Sequence, residues 1–173
     1  TMASPELSEI PSEQLPDLLE QRVQSVPFFR QMVVVGVDGQ LRGGYPENSQ
    51  ARLILSQEEE SAVELALRGV TVQTYAVKGQ VGDVSAEIVF VARILDREGQ
   101  AAGVLIGRTD FTATPFTQPA LRALEALEDL SGTGKILDEN GLVLYPQQNQ
   151  TSMTAEEDLA LKAGLYDETS PTG

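Results

Sequence analysis

Two arginines and an aspartate interrupt or close apolar runs in the middle of this chain, and they are the residues best placed to do chemistry. Arg93 lies inside the run Ile88–Leu95, while Arg108 and Asp110 follow directly on the run Gly103–Gly107. A guanidinium withdrawn from water needs a counter-charge or a set of acceptors. Arg93 therefore either pairs with a carboxylate of the chain, Glu87 or Asp110, or faces a cavity and binds an anionic ligand through its planar fork of donors. Asp110 either braces an arginine, caps the turn after its strand, or holds a ligand amine. Tyr75, on a neighbouring β-rich run, and Tyr45, beside Gly44, each combine an aromatic body with a polar tip. The candidate ligand-binding set is thus Tyr45, Tyr75, Arg93, Arg108 and Asp110.

Other chemistries are disfavoured by composition. The chain has no cysteine and no histidine. Disulfides, thiol catalysis and cysteine-type zinc sites are excluded, and the commonest general base is missing. There is no phosphate-binding glycine loop and no nucleophile-elbow motif. Asp138-Glu139-Asn140-Gly141 lacks the ligand ladder of a calcium loop. The expectation is a chain that is not an enzyme and carries no metal and no cofactor. With 26 acidic and 12 basic residues the net charge is −14. That disfavours nucleic acid and docking on an anionic membrane surface. No run reaches membrane-spanning length.

The elements that must position these residues are legible from pattern. Ser85–Asp110 reads as two apolar strands joined by a turn at Asp96-Arg97-Glu98-Gly99. Apolar on both faces, this hairpin should be covered on both faces and lie centrally in a sheet. Leu15, Leu18, Leu19, Val23 and Val26 form the stripe of an amphipathic helix over 15–26, with Pro16 in its first turn. Gln31–Val37 and Leu41–Tyr45 form a hairpin around Asp38-Gly39, weakened by Gly43 and Gly44. Ser56-Gln57-Glu58-Glu59 is a capping box that opens a helix to Arg68, stopped by Gly69. Val70–Val77 is a strand, and 78–83 a loop. After a linker from Thr112, a helix spans 118–130, ended by Gly132 and Gly134. A further hairpin occupies 135–146, and Thr154-Ala155-Glu156-Glu157 is a second capping box. The hairpins at 33–46 and 135–146 echo one another, both ending in Tyr-Pro. The fold class is α+β with an antiparallel sheet flanked by helices.

The order helix, hairpin, helix, then three strands ending in GVLIGRTDF, followed by a linker helix and the phrase GTGKILDENGLVLYP, resembles the Cache family of PAS-like sensor domains, double-Cache in particular. The resemblance covers about residues 15–146. It implies a PAS-like five-stranded antiparallel sheet and the start of a second, smaller PAS-like module. It implies the boundaries 1–11 tail, 12–111 membrane-distal module with its N-terminal helix, 112–130 linker helix, and 131–173 partial membrane-proximal module. It further implies an extracytoplasmic small-molecule sensing domain of a bacterial receptor such as a histidine kinase. Such a domain is attached to the membrane through spans outside this chain and forms a homodimer through the N-terminal helix. The implied ligand is a small molecule, carboxylate-bearing if Arg93 receives it. Asp110 matches the family position that takes a ligand ammonium, whereas the arginine–tryptophan cluster that grips an amino-acid carboxylate is absent. Two other readings are a cytoplasmic PAS- or GAF-like dimerisation and relay module, and a structural exported domain without a ligand.

Overall fold

A computed structural model of the chain describes residues 3–46, 53–77, 86–132, 134–138, 141 and 143–145. Contacts divide the chain into two compact units, Thr1–Arg122 and Ala123–Gly173. The first unit is built on five antiparallel strands: β1 Gln31–Val35, β2 Leu41–Tyr45, β3 Val72–Val77, β4 Glu87–Leu95 and β5 Ala101–Asp110. Their spatial order is β2-β1-β5-β4-β3. The doubly apolar hairpin β4–β5 thus lies inside the sheet, with β5 at its centre, as its hydrophobic pattern requires.

Alternation along the strands sorts the core into two layers. Val33, Val35, Val89, Val91, Val104 and Ile106 point to one face and pack with Ala62, Val63 and Ala66 of helix α3, Gln57–Leu67. Met32, Val34, Ile94 and Leu105 point to the other. There they meet Leu15 and Leu19 of helix α2, Leu15–Ser25, both fully buried. Each such aliphatic side chain contributes about 1.5–3 kcal/mol when buried. On this α2 face the ring of Phe29 lies over Gly107, where a Cβ would come within 2.5 Å of it. Phe29 also stacks edge-on against Phe90, with centroids 5.6 Å apart. Beside the glycine pair in β2 the pairing of β1 and β2 is irregular. The register slips between Val34 and Val35, leaving Arg42 as the extra residue of a bulge.

Residues 1–11, expected to be a tail, are packed in their described part. A single helical turn, α1 Glu6–Glu9, buries Leu7 completely. Arg42, turned out by the bulge, donates to the carbonyls of Leu7 at 3.0 Å and Ile10 at 2.6 Å. Short-range pattern could not show this, because the partner of the segment is a distant strand. The loop 78–83 lies outside the described residues.

Helix α4 runs Gln118–Asp129, and Ser131 rather than a glycine takes the left-handed conformation after it (φ 64°). Gly132 then donates to the carbonyl of Leu127 at 2.8 Å. In the second unit β6 Ile136–Leu137 pairs antiparallel with β7 Val143–Tyr145. The capping box at 154–157 lies outside the described residues.

Candidate functional site

The site grows from the N-terminus of α3. Ser56 is extended (φ −77°, ψ 166°), so its hydroxyl can accept from the amide of Glu59, at 3.2 Å. Glu59 returns the contact: its Oε2 accepts from the Ser56 amide at 2.8 Å. The same carboxylate continues to the sheet. Arg108 donates from Nε to Glu59 Oε1 and from Nη2 to Glu59 Oε2, both at 2.6 Å. Arg108 is 7% exposed and Glu59 1%. This is a buried, two-point, charge-assisted pair.

The guanidinium is also held from its other side. Nη1 donates to Oε1 of Gln31, and Nη2 donates to the carbonyl of Ile54 at 2.8 Å. Gln31 in turn donates to the carbonyl of Pro46 at 3.1 Å. Four acceptors on three residues, Glu59, Gln31 and Ile54, therefore orient Arg108, which offsets much of the desolvation of its charge.

Register places Arg108 in one row across four strands. Gln31 on β1 faces Arg108 on β5, Arg108 faces Val89 on β4, and Val89 faces Tyr75 on β3. The Tyr75 hydroxyl is buried without a hydrogen-bond partner among the described residues. Burial raises the phenol pKa, reinforced by the charge of Glu59 and opposed by that of Arg108. Tyr75 therefore presents a neutral hydroxyl at the margin of an apolar layer, free to donate or accept.

The next row outward is charged. Glu87 faces Asp110 directly across β4 and β5. Arg30 Nη1 bridges them, donating to Glu87 Oε1 at 3.2 Å and to Asp110 Oδ1. Glu87 is buried and Asp110 half-buried. Burial raises the Glu87 pKa, and the positive charge of Arg30 opposes that rise without cancelling it.

Of the five residues singled out from sequence, the structure brings together Tyr75, Arg108 and Asp110. Arg93 stands apart. It faces Val104, four residues along β4 from Val89, on the same face but roughly 13 Å away. It pairs with neither Glu87 nor Asp110, which share Arg30 instead. Its Nε is buried with no hydrogen-bond partner among the described residues. Its Nη1 lies beside Gly69, just past the end of α3. Tyr45 is on the opposite side of the sheet, where its hydroxyl donates to Glu20 of α2 at 2.8 Å. Sequence reading did not assign Glu59, Gln31 or Arg30 to the site. Glu59 was visible as a capping residue, but one residue filling two roles leaves no separate trace in a sequence. Among the described residues no group of acidic side chains is arranged to hold a metal.

No protein-family model matches the sequence, and no curated protein matches it. Solved structures do. One is the ligand-binding domain of the Pseudomonas aeruginosa amino-acid chemoreceptor PctC in complex with GABA, with a TM-score of 0.55 and 16% identity over 83% of this chain. Another is the ligand-binding domain of the Pseudomonas fluorescens chemoreceptor CtaA in complex with L-serine, with a TM-score of 0.52 and 15% identity over 83% of this chain. The fold is the PAS-like fold of Cache domains. The chain spans 61% of the length of the first of these domains and 59% of the second. At such identities the shared property is the fold, and the site must be argued from this chain's own residues. No helix among the described residues is long and apolar enough to cross a membrane.

Proposed function

We propose that this chain is the extracytoplasmic small-molecule sensing domain of a bacterial signal-transduction receptor, held at the membrane by spans outside the sequence. The observation that carries the reading is the row Gln31–Arg108–Val89–Tyr75 beneath α3. It sets polar groups into the apolar layer of a PAS-like sheet, and it leaves the buried Tyr75 hydroxyl unused. A few convergent polar groups against an apolar wall is what small-ligand sites are made of. The ligand meets the α3 face through Tyr75. A carboxylate-bearing ligand has to compete with Glu59 for Arg108, and Asp110 already shares Arg30 with Glu87. A homodimer through α2 uses the outer side of that helix, because Leu15 and Leu19 are turned to the sheet.

The test is a thermal-shift and calorimetric screen of small metabolites against the wild type and Tyr75→Phe. Binding to the wild type that weakens at least several-fold in Tyr75→Phe, with the variant still folded, supports the site. Binding that is indifferent to Tyr75 removes it. One observation favours a second reading, a structural exported domain without a ligand: the chain itself satisfies Arg108 from both sides. A screen that finds no ligand for the wild type selects that reading.

A further inference from the structure

We propose that the cradle around Arg108 is a carboxylate-binding site whose tethered occupant is Glu59. The first turn of α3 thus keeps free carboxylates out for as long as it is formed. The proposal deepens the sensing reading, on which it rests only for the premise that the α3 face receives ligands. The geometry is that of ligand recognition. Nε and Nη2 of Arg108 meet the two oxygens of one carboxylate, each at 2.6 Å, in the parallel fork by which guanidinium recognises a free carboxylate. The fork does not depend on Glu59 for its direction. Gln31 and the Ile54 carbonyl hold the guanidinium from the other side, and Gln31 is itself fixed to Pro46. Taking away the Glu59 side chain beyond Cβ therefore leaves an oriented, buried cation facing a hollow. That hollow has the size of the missing CH2–COO⁻ group, which is an acetate ion.

The tether also couples occupancy to the helix. Glu59 Oε2 accepts from Arg108 Nη2 and from the Ser56 amide together. A carboxylate that displaces Glu59 takes the Arg108 contacts and breaks the capping box in one step, so the first turn of α3 reports whether the tethered or a free carboxylate is bound.

The experiment uses Glu59→Ala with acetate as the probe. Thermal unfolding is followed in sodium acetate and in sodium chloride at equal ionic strength. Glu59→Ala should melt below the wild type in chloride. It should recover saturably in acetate, by about 5–10 °C when acetate reaches a hundred times its dissociation constant. The wild type, whose cradle is filled, should show no acetate-specific gain. Neither should Glu59→Ala combined with Arg108→Met, which lacks the fork. Absence of an acetate-specific gain in Glu59→Ala overturns the proposal, as does an equal gain in the wild type or the double variant. If Glu59→Ala does not fold in chloride, it is refolded from denaturant into each salt. Recovery in acetate alone supports the tethered-ligand site, and failure in both salts overturns it. The two readings fail separately. Rescue of the variant with no metabolite binding to the wild type removes the sensing function and keeps the cradle. Metabolite binding without rescue does the reverse.

Discussion

Arg93 and Arg108 form a natural comparison. Both are polar residues of apolar strands that neighbour each other in one sheet, both point to the face covered by α3, and both looked alike as candidates. Yet Arg108, at the end under the start of α3, is held by Glu59, Gln31 and the Ile54 carbonyl. Arg93, at the end under the finish of α3, is half-buried, with a buried Nε that makes no hydrogen bond among the described residues. The polarity of α3 explains part of the difference. Its first turn is acidic, with Glu58, Glu59 and Glu60, while no basic residue stands in its last turn. The start of the helix delivers a carboxylate to the sheet. Its end offers Arg93 only the negative end of the helix dipole, an attraction that requires no particular side-chain geometry. A strand arginine is thus a locked part of a site or a half-buried residue without a side-chain partner for its Nε among the described residues, according to which end of the covering helix it meets.

The largest test of this contrast is Arg108→Ala, which strands the Glu59 carboxylate in the core. It should lower stability by about 3–5 kcal/mol, measured by denaturant unfolding. A loss below about 1 kcal/mol would reduce Arg108 to the standing of Arg93 and erase the comparison. Ser56→Ala comes next. It removes the hydroxyl that caps the helix, with an expected loss of about 1 kcal/mol. Hydrogen exchange should report faster opening of the first turn of α3. An unchanged first turn would mean that Arg108 and the backbone amide of residue 56 suffice to hold Glu59 in place.

Glu87→Gln sharpens the picture at the Arg108 end. Burial raises the Glu87 pKa in the folded state above its value in the unfolded chain. Its contribution to stability is therefore fully present below the ordinary glutamate range and is lost as pH rises through the raised value. At neutral pH the substitution should stabilise the fold, by less than about 1 kcal/mol, because Arg30 keeps Asp110 as a partner. The gain should vanish as pH falls below the ordinary glutamate range. Melting curves across that window decide it, and a gain that grows towards acid would reverse the assignment. Smallest of all is Arg93→Met. It keeps the aliphatic packing and removes an unpaired donor, so stability should change by no more than about 0.5 kcal/mol in either direction. A loss comparable to that of Arg108→Ala would show that Arg93 also has a locking partner.

Much of the architecture was legible in the residues. Asp38-Gly39 and Asp96–Gly99 announced two hairpins, the doubly apolar β4–β5 pair announced the centre of the sheet, and Ser56–Glu59 announced a helix start that the structure forms with both of its reciprocal bonds. These signals are local. Periodicity, turn chemistry and capping act over a few residues, so the sequence alone determined the five strands, helices α2 to α4, the antiparallel class of the sheet and the covering of its central hairpin on both faces. The site was legible only in part. Arg108 was visible as a polar residue out of place, but its partners Gln31 and Glu59 lie 77 and 49 residues away along the chain. The packing of Leu7, the turn of Tyr45 towards α2 and the separation of Arg93 from Asp110 likewise follow from strand order and register. Tertiary structure alone decided which strand residues share a row and which end of a helix covers them, because a buried charge takes its partner from whatever the fold brings within about 3 Å, and distance along the chain does not encode that.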